Sequence, residues 1–491
     1  MAPLGQDRYG QRDPERVLDV GSLPGLWLAQ TNRRSDVTFV PPVEVTLMLG
    51  ESEALGKFPS ADARERWVHM SLRRTAGFRR RWAAGSAAMA GALATVNGYR
   101  PLSNRGYSSV LALAAGLPAT ELPLQTLAAQ TGAVALLAGA APPRTRRTAG
   151  LLWAASCLGL LGLHQVGRRA DAPLTAALDR GLGSARRIDS ADLWQRPTSQ
   201  EGTAKKPGVI RMARVYRDYA HDADIAYGPH GTANHLDVWR RPDLDRAGRA
   251  PVLLQIPGGA WSSGNKRGQA HPLMSHLTEL GWICVSINYR LSPKGTWPDH
   301  LVDVKRAIAW VKEHIADYGG DPDFVAVTGG SAGGHLSALA ALTANDGALQ
   351  SGFEQADTSV QAAVPFYGVY DFTRTDRGLH PMMVPFLERH VVKRQRADAP
   401  DAFAAASPIT HVGTKAPPFF VLHGRNDSFI PVGQARSFVA RLGAVSTQPV
   451  VYAELPMAQH AFDVFGSARA AHAAVAVEQF LAEVYSRRPT G

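Results

Sequence analysis

From about residue 210 onward, short apolar runs alternate with longer stretches whose apolar positions recur at helical spacing. The runs 251–256, 282–288, 324–328, 360–366, 418–423 and 449–453 predict six buried strands. Between and after them, 300–316, 332–343, 433–442 and 468–485 predict helices. In the first of these, Val304, Ala307, Ile308 and Val311 fall on one face. Strands alternating with helices imply an α/β fold, a mostly parallel sheet covered on both faces, which takes its ligands at the carboxyl ends of the strands. The charged stretch 371–407 breaks the rhythm and is expected to form a cap over that end.

Upstream the pattern changes. Between Arg81 and Arg169 the chain reads as uncharged windows, 82–99, 106–120, 122–143 and 148–167. A spanning helix needs about 20 mostly apolar residues. Windows 122–143 and 148–167 meet that length, 82–99 is a third candidate, and 106–120 is short and holds Pro118. The expectation is an α-helical N-terminal region embedded in the cytoplasmic membrane by several passes, with the side of the catalytic part left open. The expected layout is a polar lead-in over 1–81, the hydrophobic helical region over 82–167, a linker over 168–207 rich in polar residues and proline, and a catalytic domain over 208–491 that folds without residues 1–205. Charged residues scattered through the first 40 positions argue against a cleavable signal.

Charge narrows the partners. The chain of 491 residues carries 53 Lys+Arg against 42 Asp+Glu, a net +11, which suits nucleic acid or an anionic lipid surface. The arginines cluster beside the uncharged windows, as at Arg144, Arg146 and Arg147, and no nucleic-acid-binding motif accompanies them. Membrane association is therefore expected and nucleic acid is not. Cys157 and Cys284 lie far apart in apolar surroundings and build neither a disulfide framework nor a zinc ribbon.

Strand 324–328 runs into Gly329-Gly330-Ser331-Ala332-Gly333 and then a helix, the context a G-x-S-x-G nucleophile elbow requires. Serine is a poor nucleophile at its ordinary pKa, so a histidine must take its proton and a carboxylate must hold that histidine's tautomer. Asp427 follows strand 418–423 and His460 follows strand 449–453, in the order Ser, Asp, His and both on loops. Asp463 is the other acid within reach of His460, whereas His411, His423 and His472 are read as structural. The Ala332 amide opens the helix after the elbow, and Gly258 and Gly259 follow the strand at 251–256; these three are the expected oxyanion donors. Trp261 is the candidate wall of the substrate pocket. Neither H-E-x-x-H nor a P-loop is present, so no metal or cofactor is expected.

Together with Asn288-Tyr289-Arg290-Leu291-Ser292-Pro293, Asp317-Tyr318-Gly319-Gly320-Asp321-Pro322 and Tyr367-Gly368-Val369-Tyr370-Asp371, these segments resemble the hormone-sensitive-lipase-like carboxylesterases of the α/β-hydrolase superfamily, especially the mycobacterial Lip-type esterases. The resemblance covers about 210–485 and implies hydrolysis of small-molecule or lipid esters through an acyl-enzyme, without a metal. One departure stands out, because the family's oxyanion loop reads His-Gly-Gly where this chain has Pro257. An arylformamidase-like amide hydrolase, whose loops also resemble Gly-Gly-Ala-Trp, and a catalytically silent interaction module are the alternatives.

Overall fold

The computed structural model describes residues 82–104, 106–139, 141–183, 215–374 and 378–488. The expected lead-in over 1–81 and residues 184–207 of the expected linker lie outside the described residues.

Eight strands form one sheet. They are β1 (Ala220–Ala226), β2 (His235–Trp239), β3 (Ala250–Ile256), β4 (Ile283–Ile287), β5 (Gly320–Gly330), β6 (Ala362–Phe366), β7 (Phe419–Gly424) and β8 (Val450–Leu455), in the order β1-β2-β4-β3-β5-β6-β7-β8. All pairs from β4 to β8 are parallel, while β2 is antiparallel to both β1 and β4. The six apolar runs supply β3 to β8. The two antiparallel strands were not anticipated, because Ala220–Ala226 (AHDADIA) carries two aspartates and lacks the apolar run of a buried strand.

Strand pleating sorts the core into two layers. Val252, Leu254, Ile256, Val325, Val327 and Val421 point to one face, where they meet α7 (Asp299–His314), α8 (Ala332–Leu342) and α9 (Gly433–Val445). Leu253, Phe324, Ala326, Phe420 and Leu422 point to the other, against α6 (His271–Glu279) and α10 (Ala468–Ser486). The insertion 371–407 holds only short turns of helix and feeds Phe372, Leu387 and Phe403 into the first layer.

Among the described residues before the sheet lie the helices α1 (82–99), α2 (Gly106–Glu121), α3 (Pro123–Ala138), α4 (Pro143–Arg168) and α5 (Asp171–Leu182), and a short helical turn at 215–219 leads into β1. Helix α5 lies inside the expected linker over 168–207, where a helix packed on the sheet was not anticipated. Leu174, Ala177 and Leu178 recur at helical spacing and are buried in the second core layer with Val451 and Val477. Of the prolines that suggested a linker, Pro173 is in the helix's first turn, where a missing N–H is tolerated, and Pro197 and Pro207 lie outside the described residues. A buried ion pair ties α2 to the hydrolase as well, since Arg469 of α10 meets Glu121, which also accepts a 2.9 Å hydrogen bond from Ser467 Oγ.

The helices α1 to α4 bury small and polar groups and expose large apolar ones. Ala84, Ala88 and Ala149 pack inside, and Thr95, Gln130 and Ser156 hydrogen-bond across three helices at 2.7 and 3.0 Å. Leu136, Leu151 and Leu158 are 86%, 75% and 73% exposed. Among the described residues one helical run, Pro143–Leu182, is long and apolar enough to cross a membrane, and α2 with α3 would do so only as one span bent by 106°. That does not support the expected multi-pass arrangement.

Removing one partner of a buried ion pair strands the other charge, which costs about 3–5 kcal/mol. Glu121→Leu in the full chain should therefore lower thermal stability by that order, read by calorimetry. A melting temperature equal to wild type would show that α2 is not anchored through Arg469.

Candidate active site

Ser331 joins β5 to α8 with φ +58° and ψ −118°, a conformation non-glycine residues rarely hold. The turn is forced by close backbone approach: a Cβ on Gly329 would lie 2.5 Å from Ile256 O of β3, and one on Gly333 would collide with the same oxygen. The Ser331 amide donates to Phe366 O of β6 at 3.0 Å, which fixes the turn between its neighbouring strands. At the start of α8 the Ala332 N–H is one of the donors a helix leaves unpaired.

Two further loops meet at the carboxyl ends of β7 and β8. His460 Nδ1 lies 2.7 Å from Asp427 Oδ2, and both side chains are buried. Asp427 Oδ1 accepts the amides of Phe429 at 2.9 Å and Ile430 at 2.7 Å. Burial pushes the Asp427 carboxyl up, but His460 and the hydrogen bonds from His423 and His460 outweigh it and hold the group below the ordinary carboxylate range. The loops are stitched together, with Asn426 N donating to Ala458 O at 3.0 Å, and with Ser428 N and His460 N sharing Gln459 Oε1 at 2.9 and 3.0 Å.

Asp463, the alternative acid, is occupied elsewhere. Tyr367 Oη donates to Asp463 Oδ1, and burial raises the Asp463 carboxyl. The Tyr367 ring stands edge-on to the His460 imidazole with centroids 4.7 Å apart, while its hydroxyl end lies against Gly330. It thus bridges the serine turn and the histidine loop. His423, read as structural, has Nε2 3.0 Å from Ile430 O and 3.3 Å from Asp427 Oδ2, so it braces the acid loop. Sequence analysis gave no site role to Tyr367, Gln459 or Asn426; the signal for Asn426 and Gln459 was their position beside Asp427 and His460, and for Tyr367 its place in the segment Tyr367–Asp371 that carries the resemblance.

The oxyanion loop departs from expectation at two positions. Gly258 N donates to Gln269 Oε1 at 2.7 Å, so its amide is spent on holding the loop. Gly259, at φ +127°, sits where a side chain would collide with Ser263 O, and among the described residues no acceptor takes its amide. Trp261 is 1% exposed. Its Nε1 donates to His335 Nδ1 at 3.2 Å, and its ring packs edge-on against His335 and Phe372. It is a packing residue beneath the loop. At the departure from the family pattern, Pro257 O accepts from Tyr289 Oη at 3.0 Å, which braces the loop from β4's end. Among the described residues no cluster of His, Cys, Asp or Glu is arranged to hold a metal ion.

The BD-FAE family profile matches residues 236–442. LipM of Mycobacterium tuberculosis, named a probable carboxylic ester hydrolase, is 66% identical over 400 residues, 82% of this chain and 93% of the relative. The chain belongs to the Lip carboxylic ester hydrolases. Esterase LipQ of the same organism is 54% identical over 67% of this chain and 79% of its own length. Among solved structures, a butyrate-bound esterase of Thermogutta terrifontis is 24% identical, covers 55% of this chain and 97% of its own, and has a TM-score of 0.46. By its kinship with LipM and LipQ this member is an enzyme that hydrolyses carboxylic esters, and it does so on a mostly parallel sheet flanked by helices.

Both ring nitrogens of His335 are engaged, Nδ1 as acceptor from Trp261 and Nε2 as donor to Ala406 O at 2.7 Å, which requires the neutral ring. Burial lowers its pKa to about 3. A depressed histidine pKa contributes stability above the unfolded value of about 6.5 that is lost as pH falls toward the folded one. Melting temperature should fall from about pH 6.5 toward pH 3, and His335→Asn should flatten that decline. An identical slope in the variant would remove His335 from the account.

Proposed function

We propose that the esterase reaction runs through Ser331, His460 and Asp427 by way of an acyl-enzyme. The observation that carries this reading is the 2.7 Å contact of His460 Nδ1 with a buried carboxylate, on loops joined through Tyr367 to the strained Ser331 turn. With Nδ1–H donated to Asp427, Nε2 is left as the base. Ser331 Oγ attacks the ester carbonyl while His460 Nε2 takes its proton, and the C=O pair moves onto oxygen. The amides of Ala332 and Gly259 receive that oxyanion. Collapse breaks the ester C–O bond, His460 returns the proton to the leaving alkoxide, and the acyl group stays on Ser331. Water then repeats the sequence, with His460 as base, to free the acid and regenerate the serine. In the apo state Ser331 Oγ makes no hydrogen bond to His460 among the described residues; catalytic pairs of this kind often tighten only with substrate.

The substrates are esters that reach the carboxyl ends of β5, β7 and β8. We further infer that the helices α1 to α4 lie against lipid. In water, large apolar side chains turn inward, whereas here alanine, glycine and hydrogen-bonded polar groups fill most of the helix contacts and Leu111, Leu136, Leu151 and Leu158 face out, with Leu160 and Leu163 buried, as in bundles solvated by hydrocarbon. Arg144, Arg146 and Arg147 at the start of α4 and Arg168 at its end suit headgroup depth.

Ser331→Ala should abolish ester turnover, with kcat falling on the order of 10³–10⁶. Asp427→Asn keeps the shape and loses the tautomer, so kcat should fall by up to about 10⁴ while Asp463→Asn loses far less. Full turnover by pure Ser331→Ala, or a more crippling Asp463→Asn, would refute the triad. For the lipid reading, the full chain should stay with membranes through high-salt and carbonate washes, because exposed charges are screened beyond about 10 Å at 0.1 M salt. Release by salt alone would leave only surface charge as the attachment.

A further inference from the structure

The loops that carry Asp427 and His460 are held from outside the hydrolase core. Asn426, immediately before the acid, donates from Nδ2 to Gly98 O at 3.0 Å and to Tyr99 O at 2.8 Å. Those carbonyls belong to the last turn of α1, where no intrahelical N–H remains to pair them. Ser428, immediately after the acid, donates from Oγ to Ser109 O of α2 at 3.2 Å. Gln459, immediately before the histidine, is fully buried and lies against Gly116 of α2. Asn97, also buried, fixes α1 relative to α2 by donating to Ala112 O at 2.6 Å and accepting from Leu102 N at 2.9 Å. Farther along, Glu121 at the end of α2 takes both Ser467 and Arg469 after the histidine loop.

We propose that α1 and α2 are a positioning part of the catalytic site, holding the acid and histidine loops in register through Asn426, Ser428 and Gln459. The proposal rests on the triad reading above. Each of the three residues adjoins a triad member, and each meets the helical region, more than 300 positions away in sequence. None of the three touches the ester; they act on where the Asp427 carboxylate and the His460 ring sit. A hydrolase core without these helices would retain the triad residues and lose the outer support of two of its three loops. Half an ångström of drift in a base or its orienting acid affects the transition state more than ground-state binding. The signature is therefore a loss in kcat at constant KM.

The test uses the full chain and a short water-soluble ester, whose access does not depend on lipid. Asn426→Ala removes both donated hydrogen bonds. Asn426→Asp has the same shape but sets a carboxylate against the two carbonyl oxygens. We expect kcat to fall about tenfold in the first and further in the second, with KM within twofold of wild type, measured well below each variant's melting temperature so that the folded fraction is constant. Wild-type kcat in folded Asn426→Asp, or a loss confined to KM, would overturn the proposal. If Ser331→Ala is inactive while both Asn426 variants match wild type, this inference fails alone; if Ser331→Ala is active, the triad fails with it. Should Asn426→Asp not fold, Asn426→Ala decides by the same split between kcat and KM.

Discussion

Everything at the catalytic end of this enzyme depends on how closely the backbone of β5 and the start of α8 approach Ile256 of β3. The carbonyl of Ile256 lies where a side chain on Gly329 or Gly333 would be, so only glycine lets the strand turn into the helix at that point. The serine between them is left with φ +58° and no room to relax, because its amide is tied to Phe366 O on the next strand. Strain of this sort persists only where the surroundings over-determine it. Here two parallel strands and a buried helix do so, and the oxyanion loop leaving β3 is set by the same contact.

Around that turn the polar groups form layers, each supporting the next. Asp427 holds His460, two backbone amides and His423 hold Asp427, and Gln459 holds the amides on both loops. The oxyanion loop is built similarly. Gln269 secures Gly258, Tyr289 secures Pro257, and Lys266 is buried against Asp237 and Asp224 on the antiparallel edge of the sheet. A buried charge is tolerated only when paired, and here the pairing anchors the loop to two strands the apolar pattern did not disclose. Where the family pattern has a histidine this chain has Pro257, whose carbonyl accepts from Tyr289 at the adjacent strand end.

The helical region is packed differently from the core it touches. Leu111, Leu136, Leu151 and Leu158 face outward, Leu160 and Leu163 are buried with small residues, and a few hydrogen bonds between Thr95, Gln130 and Ser156 join the helices. Where α1 and α2 reach the hydrolase the contacts become polar and specific, ending in the buried Glu121–Arg469 pair. That change from apolar to polar contact, within one helix length, marks where the helical region meets the sheet.

The sequence by itself determined the strand and helix rhythm from β3 to α10 apart from α6, the serine turn, and the order of serine, aspartate and histidine on successive loops. These are local matters of period, of where glycine is required, and of which loops follow strands, so they are written in neighbouring residues. Tertiary structure alone decided which of the candidate groups are free to act. Gly258 and Gly259 are indistinguishable in sequence, yet a glutamine eleven positions on takes one amide and leaves the other. Trp261 lies beneath the loop because His335 and Phe372 are there to receive it, and Asp463 is drawn to Tyr367 from another strand. The apparent linker is partly helix because Leu174 and Leu178 find a core layer from β8 and α10 to bury against, and the helices that seemed a detachable anchor close around the acid loop. Hydrogen bonds and burial between residues tens to hundreds of positions apart leave no trace in local pattern, since each side chain is compatible with many partners until the fold presents one.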